Sequence, residues 1–114
     1  MSTTAILKQH ITDIRVLLTG KSFEQVQNDM ITRAAFECFL ERASDMSRQL
    51  PKASKRKHAN VPWRRVAVVG DAIHFGYSRI DLKALWDIYE RDFPSLERAV
   101  DSMLTFEATK GGST

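Results

Sequence analysis

Apolar residues at Leu7, Ile11, Ile14 and Leu18 recur every three or four positions, the spacing of one face of an amphipathic helix. Thr3 or Thr4 is placed to cap its start, and Gly20 to end it. Ser22 opens a short helical turn, SFEQVQ, and Asp29 is placed as the N-cap of a longer helix that reaches Leu50. Within that helix Ala35, Phe39, Ala43, Met46 and Leu50 form the apolar ladder, with Phe36 and Leu40 widening it, and Cys38 reads as a small core residue. Pro51 stops it and a basic loop follows. Val61-Pro62-Trp63 starts a third helix, because proline suits the first helical position; it runs through VAVVGDAIHF and frays near Gly76. Asp81 caps a fourth, with Leu82, Leu85, Trp86 and Tyr89 on its apolar side, and Asp92-Phe93-Pro94 restarts the chain as a fifth segment, SLERAVDSMLTFE. No alternating strand pattern of any length is present. The pattern predicts an all-α, antiparallel four-helix up-and-down bundle with an extra short C-terminal helical segment, residues 1–108 forming the domain and 109–114 a disordered tail.

Composition adds limits. A chain of 114 residues, 43% hydrophobic and 27% charged, can build one core and does not read as disordered. It has no run of apolar residues long enough to span a membrane, and MSTTAILKQH lacks the basic start of a signal peptide. The single Cys38 cannot form an internal disulfide, which points to a reducing cytoplasm. Three scattered histidines and one cysteine offer no pair at ligand spacing, so neither a metal nor another cofactor is expected. The net charge of +3 is unevenly placed: PKASKRKHANVPWRR, residues 51–65, holds Lys52, Lys55, Arg56, Lys57, Arg64 and Arg65 and no acid. The rest of the chain, 11 basic against 14 acidic residues, carries −3. A basic segment on an acidic body points to nucleic acid or an acidic partner, the alternative being a solvated loop. Trp63, Trp86 and Tyr89 read as packing residues rather than a base-stacking platform.

The stretch GDAIHFGY, Gly70 to Tyr77, sets a histidine between an aspartate and a tyrosine near the end of the third helix. Together with ECFLERASDMSRQLP, where Asp45 stands for a usual glutamate and Arg48, Leu50 and Pro51 follow, with VPWRRVA, and with Trp86, Asp92 and Pro94, it resembles the HepT-like family of the HEPN superfamily. The similarity runs from Ile6 to Phe106. It implies a helical, metal-independent RNA endonuclease, the toxin of a toxin–antitoxin pair. It further implies a homodimer whose motif helices face each other, and a cognate minimal nucleotidyltransferase antitoxin that adds AMP to the motif tyrosine.

The family signature is an arginine, four to six residues, a histidine, and a tyrosine two residues on. One branch has Gly-Asn in place of the arginine and Arg-His directly before the last two motif residues. GDAIHFGY is closest to that branch: Gly70-Asp71 stands for its Gly-Asn, His74 for its arginine, Phe75 for its histidine, and Tyr77 is in register. Attack by the RNA's own 2′-hydroxyl needs a base for its proton and positive charge on the phosphorane oxygens. On the resemblance, His74 is the base or proton shuttle, Asp71 orients it, and Tyr77 is the modification target. Arg48 or Arg79 is the candidate for the missing charge, and Lys55, Arg56, Lys57, Arg64 and Arg65 meet RNA. The histidine is displaced by one residue, a rotation of roughly 100° about a helix. A catalytically degenerate homologue that keeps the dimer and the partner surface, and acts as a binding module, therefore stands as the second reading.

Overall fold

The computed structural model describes residues 2–74 and 81–111, and among them the chain is all-helical, with no strand. α1 spans Thr3–Leu18, α2 Phe23–Asn28, α3 Met30–Gln49, α4 Lys52–Arg56, α5 Trp63–His74 and α6 Leu82–Gly111. Side-chain caps start the first three. Ser2 accepts from the Ala5 amide, Ser22 and Gln25 form a reciprocal capping box, and Asp29 accepts from the Ile31 and Thr32 amides. Gly20, at φ +74°, makes the turn out of α1, a left-handed conformation that costs glycine nothing.

α1 packs against α3 and α6, and α3 against α5, with α2 against α3 and α6. The expected face of α1 is the buried one: Leu7, Ile11, Ile14 and Leu18 are all in the core. Outside that face Lys8 bonds Glu97 at 2.7 Å and Asp101 at 2.8 Å, and Arg15 also pairs with Glu97, strapping α1 to α6. Phe23, Phe36, Trp86, Tyr89 and Phe93 form one aromatic cluster, with ring centroids 5.3–6.0 Å apart in edge and tilted arrangements.

Four local expectations change. Pro94 does not restart the chain: α6 is a single 30-residue helix with the proline inside it. An internal proline costs about 3 kcal/mol through the lost amide and the ring's clash with the preceding turn. However, Leu85, Trp86, Phe93, Leu96, Val100 and Met103 form one unbroken buried stripe across it, and fully burying each such side chain is worth about 1.5–3 kcal/mol. Continuity of the helix therefore wins. α6 also reaches Gly111, into the segment expected to be a tail. The basic segment is not a loop at its start but the short helix α4, whose last turn is held by the Trp63 indole donating to the Lys55 and His58 carbonyls at 3.1 and 3.0 Å. Finally, the buried stripe of α3 is Thr32, Phe36, Leu40, Ala43, Ser44 and Ser47, so Cys38 is exposed rather than in the core.

Candidate functional site

α5 lies on α3 through valines and a glycine. Val66 and Val69 are buried, and the Gly70 backbone comes so close to α3 that a Cβ on it would lie 2.8 Å from the Ser44 Cβ and closer still to its hydroxyl. A side chain there would require Ser44 or the helices themselves to shift. The Ser44 hydroxyl uses the proximity twice, accepting from the Gly70 amide at 3.0 Å and donating to the Ala67 carbonyl at 2.9 Å. Ser47 donates to the Ser44 carbonyl at 2.6 Å, so both buried serines are satisfied.

One turn further along α3, Arg48 reaches the same stretch of α5. Its guanidinium donates to the Ala67 carbonyl at 2.8 Å and to the Asp71 carboxylate at 2.5 Å. That bond to Asp71 comes first among the influences that raise the Arg48 pKa, so the cation is held more firmly than usual. Both groups are about half exposed, so the charge is fixed in place yet open to solvent. The structure thus brings together three of the residues singled out in the sequence: Gly70, Asp71 and Arg48. His74 is the last residue of α5, three positions after Asp71. Phe75, Tyr77 and Arg79 lie outside the described residues.

The basic residues divide into two groups. Arg65 is committed to a bidentate pair with the buried Asp92 of α6, at 2.7 and 2.8 Å, and Lys57 lies over the Phe106 ring at 4.8 Å. Arg56 and Arg64 are exposed, while Lys55 is half-buried beside Trp63. Sequence reasoning missed Ser44 and Asp92 as structural partners. A glycine inside a helix opposite a small polar residue is the signal that could have found the first. Among the described residues no three histidine, cysteine or carboxylate side chains converge as a metal cage would require, and no helix is long and apolar enough to cross a membrane.

An all-helical bundle with Gly-Asp and then His on a helix clamped by a serine and an arginine defines the class, a helical protein of the HEPN type. A family model described as "Ribonuclease HepT-like" matches residues 7–103, and the chain belongs to that family. It is 31% identical over 88 residues to a protein named as an RNase in Caldanaerobacter subterraneus subsp. tengcongensis, covering 77% of this chain and 79% of that one. It is 33% identical over 75 residues to a protein named as ribonuclease HepT in Thermococcus cleftensis, covering 66% and 68%. No solved structure matches significantly.

Proposed function

We propose that this chain is a metal-independent RNA endonuclease and the toxin of a toxin–antitoxin pair, acting in the cytoplasm. The observation that carries the reading is the Arg48 cation held against the motif helix by Asp71 at 2.5 Å. The motif itself has no arginine among Gly70 to Tyr77; Arg48 supplies from α3 the positive charge that a phosphorane requires. In the reaction His74 takes the proton of the 2′-hydroxyl and the freed oxygen bonds to the adjacent phosphorus. The bond to the 5′-oxygen then breaks, and that oxygen collects a proton. The products are a 2′,3′-cyclic phosphate and a 5′-hydroxyl end.

The test is end-labelled RNA incubated with purified protein in excess EDTA. Cleavage leaving a cyclic phosphate, abolished by His74→Ala and reduced roughly 10²–10³-fold by Arg48→Gln, is the expected result. Cleavage that needs a divalent ion, or that survives His74→Ala, refutes it.

The working unit is a homodimer joined across α5, whose outer face carries the exposed Arg64 and Val68, the latter 55% exposed. Light scattering that gives a monomer at micromolar concentration refutes this part. Its antitoxin is a minimal nucleotidyltransferase that adds AMP to Tyr77, readable as an AMP-sized mass shift on co-expression that Tyr77→Phe abolishes.

One observation favours a second reading, a binding module without catalysis: Arg48 already spends bonds on Asp71 and on the Ala67 carbonyl. The double change His74→Arg with Phe75→His rebuilds the branch's Arg-His. A gain of tens-fold in cleavage supports a scaffold that still holds a cleft, whereas a folded dimer with no gain supports the binding module.

A further inference from the structure

We propose that α4 and Trp63 form a subsite for one nucleotide of single-stranded RNA, with its base on the Trp63 ring and its flanking phosphates on Lys52 and Arg56. The proposal rests on RNA being the substrate class. Lys52, Lys55 and Arg56 stand at i, i+3 and i+4 of α4, so all three cations leave one side of a single helical turn. With Ala59 and Trp63 they line a shallow, open depression of about 410 Å³ on the surface, mostly apolar at its floor.

Three features argue that this arrangement serves a ligand. Like charges at these spacings weaken a helix, and α4 has only five residues, so the cations stay together against the local preference. No carboxylate relieves them: residues 51–65 contain none, and no ion pair to Lys52, Lys55 or Arg56 occurs among the described residues. Burial, and then the charges of Lys52 and Arg48, hold the Lys55 pKa below its ordinary value, a cost that a bound anion would offset. The ring is also fixed in advance. The Trp63 indole N–H donates to the Lys55 and His58 carbonyls, and the Lys55 ammonium lies 6.0 Å from the ring centroid. Cations around a pinned aromatic floor are what an unstacked base and its phosphates need. An acidic polypeptide would use the charges and leave the ring idle.

The test is fluorescence anisotropy with a labelled 2′-O-methyl oligouridylate, which has no free 2′-hydroxyl and so separates binding from cleavage. Trp63→Phe and Trp63→Leu both lose the indole N–H, and only the first keeps a ring. Trp63→Leu should weaken Kd roughly 5- to 100-fold, and Trp63→Phe should restore most of that loss. The pair Lys52→Gln with Arg56→Gln should make the slope of log K against log salt shallower by about 1.4, two phosphates on a single strand. Equal losses in the Phe and Leu variants, no loss in either, an unchanged salt slope, or no binding by the unaltered protein would each overturn the subsite. Binding of polyglutamate as tight as that of RNA and indifferent to Trp63 would overturn it in favour of an acidic protein partner. Cleavage of unmodified RNA is measured alongside. Trp63-dependent binding without cleavage keeps the subsite and refutes the nuclease, and cleavage without Trp63-dependent binding does the reverse.

Discussion

Replacing Gly70 with alanine tests the helix crossing on which the motif rests. In an exposed helix interior this change stabilises by about 1 kcal/mol, because alanine loses less backbone freedom on folding. Here the new Cβ would meet Ser44 at 2.8 Å from its Cβ, and the side chain is confined between two backbones. Overpacking of this kind costs about 1–3 kcal/mol. Pushing Ser44 aside also removes its bonds to the Gly70 amide and the Ala67 carbonyl, each worth about 0.5–1.5 kcal/mol. The middle of the balance is a net destabilisation of about 3 kcal/mol, or on the order of 10 °C in Tm for a domain of this size. Urea unfolding followed by helix circular dichroism measures it. The sharper form is a cycle with Ser44→Gly, which removes both atoms the Cβ would strike. In that background Gly70→Ala should reverse sign and stabilise. An alanine variant as stable as the parent, or the same effect in both backgrounds, refutes the claim that close approach dictates this glycine.

Other expectations follow from single contacts. Arg65→Met should lower the unfolding midpoint clearly more than Arg64→Met, because Asp92, its side chain 4% exposed, would be left as a buried carboxylate without its cation; equal effects would refute this. His10 is held below its usual value of 6.5, first by burial and then by Arg42 against the opposing pull of Asp13. The unfolded chain therefore takes up a proton at a pH where the folded one does not. Its contribution is full above pH 6.5 and is lost as the pH falls toward the lower folded value, so the urea midpoint should drop on acidification through that window and His10→Gln should flatten the drop. Ser22→Ala, which breaks the capping box at α2, should cost about 1 kcal/mol in the same unfolding assay.

Much of the architecture was legible because it follows from apolar spacing. The stripe of α1 could be read directly, since four large aliphatics at regular intervals admit one face only. α3 misled because part of its buried face is polar. Ser44 and Ser47 sit where a hydrophobicity count sees surface, and the stripe was rotated far enough to take Cys38 inward. Small size rather than apolarity decided that seam, and only the opposing helix reveals it. Pro94 misled because it is a local stop signal overruled by a stripe that continues on both sides. α4 was invisible to periodicity at five residues and depends on a tryptophan seven or more positions away. For the candidate site, Gly70, Asp71 and Arg48 could each be named from the sequence. Their meeting could not, since it depends on the register between two helices whose contacting residues are 23 positions apart.

That register gives the first half of the motif a physical reason. Where the backbone of α5 touches α3 at Ser44, even a Cβ at position 70 would strike that serine, so an arginine there would require α3 and α5 to move apart. The acid at position 71 holds Arg48, four residues after Ser44 on the same helix, against the Ala67 carbonyl of α5. Serine and arginine one turn apart on α3 thus answer glycine and aspartate side by side on α5, one pair setting the distance between the helices and the other fixing a charge beside it. The ionic contact is half exposed, whereas the Ser44–Gly70 contact below it is buried, and the two meet at the Ala67 carbonyl, which accepts from both Ser44 and Arg48.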